Sequence, residues 1–506
     1  MAGKVWLIGA GPGDPSLVTA RGREVLGRAD VVLYDALSHP GLLEACRPDA
    51  EVRNVGKRGG KESPSQAWIT EQLIELARAG KVVARLKGGD PLLFARGAEE
   101  AEDLARAGIP FEIVPGVSSP VAASAYAGIP LTHREVSSSV TFITGSDREG
   151  VEWTEDAWKR LATATDTICI LMGMRRLEQI ARALVAGGRA ETTPVAVVQW
   201  AARPEQKVLV STLGRVSADV AARGITNPAV VIVGEVVRLR DALRWYDRAP
   251  LFGKRLLVPR PAHQAKTTAQ AIYERGAEPV VFPVIEIGDP ADAAPFRRAV
   301  TTLASYDWVL FTSANGVERT FAELACEGRD ARAFGGAKVG AIGPGTAAAL
   351  AAHGVRADAT ATEYVGEGLA KTILERGGVR RALLLRAQEA RDALPDLLRK
   401  SGAVVDVVAA YATRRASVSR GAELARLFEE RAIDAALFTS SSTVDGVFEL
   451  LGPRAKELLA GTTLACIGPV TQGTLEKHGL SPTVVAAEYT IQGLLDALAT
   501  HYAARH

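Results

Sequence analysis

Residues Leu7 to Leu17 read LIGAGPGDPSL, and what this turn can hold decides how the first half of the chain folds. A short apolar strand, Val5 to Ile8, runs straight into closely spaced glycines, the pattern by which α/β chains bring bare backbone up to a nucleotide-like ligand. The dinucleotide fingerprint G-x-G-x-x-G nevertheless fails when started at Gly9. Asp14 stands where the third glycine belongs, and Pro12 removes an N–H donor. A pyrophosphate would meet a carboxylate here, which disfavours an NAD-dependent dehydrogenase. Two readings stay open: a turn for a nucleotide-like ligand that lacks phosphates and carries positive charge, or a plain strand-to-helix turn.

Outward from this turn, short apolar runs (Val31 to Tyr34, Val82 to Leu86, Thr141 to Thr144, Thr167 to Met172, Val195 to Gln199, Ala229 to Gly234) alternate with alanine- and arginine-rich helical patterns. That alternation is α/β composition. At 506 residues the chain exceeds one core. The charged and proline-bearing stretch Arg238 to Lys254 breaks the rhythm and places a boundary near residue 248, after which a new strand, Arg255 to Pro259, begins.

The second half is an internal repeat. Asp307 to Phe321 (DWVLFTSANGVERTF) matches Asp434 to Phe448 (DAALFTSSSTVDGVF), and Val339 to Gly354 (VGAIGPGTAAALAAHG) matches Leu464 to Gly479 (LACIGPVTQGTLEKHG). The pairs Gly343/Gly468 and Tyr364/Tyr489 are separated by the same interval. Two copies are too few for a solenoid, so a two-lobed α/β clamshell with ligand turns at the carboxyl ends of strands is expected.

The balance of 60 basic and 58 acidic residues, a net charge of +2, argues against a general nucleic-acid or membrane-surface partner. No apolar run approaches the roughly 18 residues of a membrane span, and the chain opens on a strand with no leader pattern, so a cytoplasmic location is expected. Cys46, Cys169, Cys326 and Cys466 are far apart and no histidine pair has zinc spacing, so neither disulfides nor a metal are expected.

Two further signatures follow the first turn. In Leu86 to Gly97 (LKGGDPLLFARG), Gly88 and Gly89 bare the backbone and Asp90 precedes a proline; a turn or N-cap role for Asp90 is the ordinary alternative. In Val114 to Arg134 (VPGVSSPVAASAYAGIPLTHR), a Pro-Gly turn leads into a helix of small residues. In this order, together with VVLYDAL at Val31, VGKR at Val55, LMGM at Leu171 and NPAVVIVGEVV at Asn227, these segments resemble the tetrapyrrole methyltransferases, most closely the uroporphyrinogen-III C-methyltransferases, over roughly residues 3 to 240.

The resemblance implies two α/β subdomains with a cofactor cleft between them, and S-adenosylmethionine as methyl donor, a nucleoside with a sulfonium and no phosphate. It assigns cofactor contacts to Pro12, Gly88, Gly89, Asp90, Leu93, Ser118, Ser119, Met172, Ala201 and Ala229. The match at Ala201 is the loosest, and core packing is the ordinary alternative for Met172. Asp35 and Lys57 match the family's proton acceptor and donor, and the basic run Arg53, Lys57, Arg58 and Lys61 is the candidate grip on the substrate's carboxylates. The ordinary alternatives are a helix cap for Asp35 and a solvated charge for Lys57.

The turns FTSANGV, AIGPGT, LFTSSST and CIGPVT resemble uroporphyrinogen-III synthase over roughly residues 251 to 506. This implies closure of linear hydroxymethylbilane with inversion of its last ring. Tyr411 aligns with a tyrosine that the family implicates in departure of the hydroxyl, and Thr346, Thr439, Ser440 and Thr471 are candidate substrate contacts, with helix N-caps the alternative. The expected division is 1–248 methyltransferase and 249–506 synthase, with lobe one 251–285 plus 413–506 and lobe two 286–412.

The whole reads as a bifunctional enzyme making uroporphyrinogen III and methylating it twice, at C2 and C7, to precorrin-2, with a homodimer expected by family analogy. The rivals are a cobalamin-route methyltransferase of other regiochemistry and a non-catalytic tetrapyrrole-binding second half. Lacking an upstream NAD-binding domain, the chain is expected neither to oxidise its product to sirohydrochlorin nor to insert metal.

Overall fold

The computed structural model describes residues 3–56, 65–145, 154–361, 365–389, 392–415 and 419–504. The opening turn leaves β1 (Lys4–Gly9), which is joined in one sheet by β2 (Val31–Tyr34), β3 (Glu51–Asn54), β4 (Val82–Lys87) and β5 (Phe111–Val114) in the order β3-β2-β4-β1-β5. All four pairings are parallel. Because β1 is covered on both faces, its apolar residues run without a break. Val5 and Leu7 join a core with Leu33, Leu73 and Leu104, while Trp6 and Ile8 join another with Leu26, Val32 and Leu86.

A second sheet holds β6 (Val140–Thr144), β7 (Thr167–Leu171), β8 (Pro194–Gln199), β9 (Lys207–Thr212) and β10 (Ala229–Val233) in the order β6-β7-β10-β8-β9. Only β6 and β7 run parallel; β10 and β9 pair antiparallel with their neighbours. Three strands, β3, β5 and β9, are not legible as apolar runs. Each ends its sheet and pairs on one side only, so polar residues such as Glu51, Arg53, Glu112 and Lys207 are tolerated there.

The strands of the second half are β11 (Arg255–Val258), β12 (Glu278–Val281), β13 (Ile285–Gly288), β14 (Trp308–Phe311), β15 (Lys338–Ala341), β16 (Ala359–Thr360), β17 (Arg381–Ala387), β18 (Val404–Arg415), β19 (Ala435–Phe438), β20 (Thr463–Cys466) and β21 (Val484–Val485). They form two sheets, β12-β11-β19-β20-β21 and β13-β18-β17-β14-β15-β16. The sequence repeat appears as two copies of strand, helix, strand, helix, strand. One is β14, Ala314–Cys326, β15, Pro344–Ala352, β16; the other is β19, Ser441–Leu451, β20, Pro469–Lys477, β21.

The repeat extends to a side-chain detail. His353 stacks on Phe321 at 4.2 Å and contacts Glu318, while His478 stacks on Phe448 at 4.2 Å and contacts Asp445. Each stack fastens the two helices of its copy to one another.

The chain divides into two compact units, Met1–Arg255 with Ala271–Glu278 and Ala499–His506, and Leu256–Gln270 with Pro279–Leu498. Among the described residues no helix is long and apolar enough to cross a membrane.

Candidate active site

The three glycine-bearing signatures meet backbone to backbone. A Cβ on Gly9 would come 2.4 Å from Gly116 Cα, and one on Gly116 would come 2.3 Å from the Gly89 carbonyl oxygen. Gly89 N donates to Gly11 O at 2.7 Å and Gly11 N donates to Gly89 O at 3.2 Å. Only residues without a side chain allow this approach. Asp90 fastens the junction: its Oδ1 accepts from Leu92 N at 2.8 Å and its Oδ2 from Gly116 N at 3.0 Å.

Asp14, which spoils the dinucleotide pattern, is also fully engaged. Its Oδ1 accepts from Ser16 N and its Oδ2 from the Tyr126 hydroxyl, both at 2.8 Å. It therefore caps the turn and ties it to the helix Ser119–Ala127, and is not among the residues lining the adjacent cavity.

That cavity, of about 610 Å³, opens at the carboxyl ends of β1, β2 and β4 and is closed by loops of the second sheet. Pro12, Asp35, Gly88, Gly89 and Leu93 line it from the first sheet. Ser118 and Ser119 line it from a helix start, and Met172, Ala201 and Ala229 from the second sheet. Asp90 lies outside the lining and acts through the turns it holds. Met172 is not core: it follows β7 with φ +55° and is 47% exposed.

Asp35 caps no helix among the described residues. It follows β2, its side chain is 29% exposed, and its Oδ1 accepts from Arg85 Nη2 at 2.6 Å. Arg85 also contacts Glu100 Oε1 (3.3 Å), which accepts from Lys87 Nζ (2.8 Å). Burial, then the charge of Arg85, pushes the Lys87 ammonium below its ordinary pKa, with Glu100 opposing.

Lys57, Arg58 and Lys61 lie outside the described residues. Arg53 sits on the edge strand β3, paired with Glu51 at 2.7 Å and outside the cavity lining. Sequence reasoning missed Phe94, Arg96, Arg175, Trp200 and Arg203, all of which line the cavity. Arg203 stacks over Trp200 at 4.9 Å and donates to the Leu37 carbonyl at 2.8 Å. The arginine in QWAARPEQ is a signal, but no periodicity marks it.

In the second half, Tyr411 lies on β18, 6% exposed, in a core with Phe311, Val317 and Leu385. Its hydroxyl meets Ser313 Oγ at 2.9 Å, and Ser313 in turn caps the helix Ala314–Cys326 through Gly316 N. Ser440, the repeat's counterpart of Ser313, caps Ser441–Leu451 in a reciprocal pair with Thr443. Thr439 is half-buried at the end of β19. Thr346 and Thr471 are buried in the first turns of Pro344–Ala352 and Pro469–Lys477.

Comparison with known proteins assigns the two halves. The family model described as "Tetrapyrrole (Corrin/Porphyrin) Methylases" matches residues 4–217, and that described as "Uroporphyrinogen-III synthase HemD" matches residues 266–496. A porphyrin biosynthesis protein HemD of Ruminiclostridium josui is 37% identical over 98% of this chain and 97% of its own length. A uroporphyrinogen-III C-methyltransferase of Sinorhizobium is 51% identical over 48% of this chain and 87% of its own. Among solved structures, a uroporphyrin-III C-methyltransferase of Thermus thermophilus is 39% identical, covering 49% of this chain and 99% of its own, with a TM-score of 0.41. Matched along nearly its whole length by a porphyrin biosynthesis protein, the chain belongs to the family that fuses a tetrapyrrole methyltransferase to a uroporphyrinogen-III synthase, and it is an enzyme of both kinds.

Proposed function

We propose that residues 249–506 close hydroxymethylbilane to uroporphyrinogen III, and that residues 1–248 then methylate it at C2 and C7 with S-adenosylmethionine, giving precorrin-2. The observation that carries the methyltransferase reading is the cavity. It presents bare backbone at Gly88 and Gly89, and its lining includes every expected cofactor contact except Asp90. Arg96, Arg175 and Arg203 add positive charge to its wall, suited to a substrate bearing carboxylates.

The chemistry asks mainly for position. A pyrrolic carbon attacks the sulfonium methyl in line, the new carbon–carbon bond forms as the carbon–sulfur bond breaks, and S-adenosylhomocysteine leaves. Asp35 takes the proton that the framework then loses, through the carboxylate oxygen that Arg85 does not occupy. Lys57 is the proton donor in this reading, and Arg53, Lys57, Arg58 and Lys61 grip the acetate and propionate arms.

In the synthase half, Tyr411 assists departure of the hydroxyl, oriented by Ser313. The N-terminal turns that hold Thr346, Thr439, Ser440 and Thr471 offer N–H groups and hydroxyls to the polyanionic substrate.

Titration of the whole chain with S-adenosylhomocysteine tests the cofactor reading. Binding is expected, with NADH failing to bind and Gly89→Val weakening the interaction by about tenfold or more, because Gly89 stands at φ +72° in the cradle. Tight NADH binding would overturn it.

A further inference from the structure

We propose that Arg85 is a positioning residue for methyl transfer: it holds Oδ1 of Asp35 so that the other carboxylate oxygen faces the cavity, and Glu100 and Lys87 hold Arg85. The proposal rests on the reading of Asp35 as proton acceptor.

Strand alternation places Arg85 and Lys87 on the same face of β4 as Val83, which packs in a core with Ile69, Leu73, Ala101 and Leu104. Apolar residues are expected there. Instead Arg85 is 2%, Lys87 1% and Glu100 0% exposed. Buried ion groups are poor stabilisers, and apolar replacements of similar volume often do as well or better. Their presence therefore calls for a role other than stability.

The geometry points to that role. The Arg85 guanidinium is fixed on every side: Nε to Glu100 Oε1 at 3.3 Å, Nη1 to the Leu33 and Leu86 carbonyls at 3.4 and 3.2 Å, and Nη2 to Asp35 at 2.6 Å. Glu100 Oε1 is itself held by Lys87 Nζ and Gln66 Nε2, each at 2.8 Å. Asp35 is the one member of the set that reaches the cavity. A planar guanidinium locked to β2 and β4 fixes the direction of that carboxylate. The other charged groups on the same wall are Arg96, Arg175 and Arg203.

The test measures kcat and KM for the full chain with uroporphyrinogen III and S-adenosylmethionine, without oxygen. Asp35→Asn and Arg85→Met are each expected to lower kcat by about a hundredfold, while S-adenosylmethionine KM stays within about twofold. The double variant should be no slower than Asp35→Asn alone. Arg85→Lys, which restores a cationic donor beside Asp35, should bring the rate part of the way back with S-adenosylmethionine KM unchanged. If Arg85→Met does not fold, Glu100→Gln loosens the same guanidinium and should give a smaller loss of kcat, again with S-adenosylmethionine KM unchanged.

A slow Asp35→Asn beside an Arg85→Met or Glu100→Gln enzyme with wild-type rate overturns the inference. So does a double variant far slower than Asp35→Asn. Wild-type turnover in Asp35→Asn instead overturns the reading of Asp35 itself.

Discussion

His39, four residues beyond Asp35, is held with Nδ1 accepting from Gly41 N at 3.0 Å, a bond that exists only while that nitrogen carries no proton. Burial first, and then the positive charge of Arg203, pushes its pKa from 6.5 down to about 4. The imidazole is therefore neutral in the fold, whereas in the unfolded chain it protonates near 6.5. Its contribution to stability is complete above that value and is lost as pH falls from 6.5 toward 4, by at most about 3 kcal/mol. Melting temperatures followed across this window should fall more steeply in the wild type than in His39→Gln; equal slopes would clear His39 of the effect. Met172 illustrates what stays hidden at this scale. An apolar run ending in methionine reads as core, and nothing in residue type announces that the backbone turns left-handed there. Phe94, Arg96, Trp200 and Ala202 also have positive φ, at or beside the same cavity. Such conformations cost on the order of 1–3 kcal/mol each and persist where surrounding structure imposes them, often at functional sites.

Elements are most legible where apolar runs and glycines coincide. β1, β2, β4, β7, β8 and β10 announce themselves because both faces are buried, while the edge strands β3, β5 and β9 escape notice because they carry polar residues such as Glu51, Arg53, Glu112 and Lys207. The signature turns are legible as a set, and the structure supplies the reason: Gly9, Gly89 and Gly116 touch one another. Gly116→Ala should displace the Gly89 carbonyl, destabilise the methyltransferase half by about 1–3 kcal/mol and weaken S-adenosylhomocysteine binding. Gly473 lies mid-helix, and a methyl group placed on its Cα would meet nothing within 4 Å. Gly473→Ala should therefore stabilise by about 0.5–1 kcal/mol. Thermal melts and ligand titration of the two variants check the contrast, and a neutral Gly116→Ala would contradict the close approach. Asp14 and Asp90 stand out in the sequence as residues of the signature turns, but only the fold shows both carboxylates engaged with protein donors. Sequence alone cannot tell a carboxylate that holds a turn from one that meets a ligand.

At the scale of the molecule, the fusion is legible because two independent patterns agree. An ordered series of turn signatures marks the first half and a duplication at constant interval marks the second, and comparison supports both assignments. What escapes the sequence is the reach across elements: Arg203 to Leu37, Arg85 to Asp35, and Tyr411 to Ser313. Each joins residues far apart in the chain through side chains whose partners no local pattern specifies. In this fusion one chain is proposed to catalyse consecutive steps. The deciding experiment supplies the purified whole chain with hydroxymethylbilane, with and without S-adenosylmethionine, in the absence of oxygen, and follows products by mass and absorbance. Uroporphyrinogen III is expected without the methyl donor and a dimethylated tetrapyrrole with it. Methylation of supplied uroporphyrinogen III, with no ring closure of hydroxymethylbilane, would contradict the proposal.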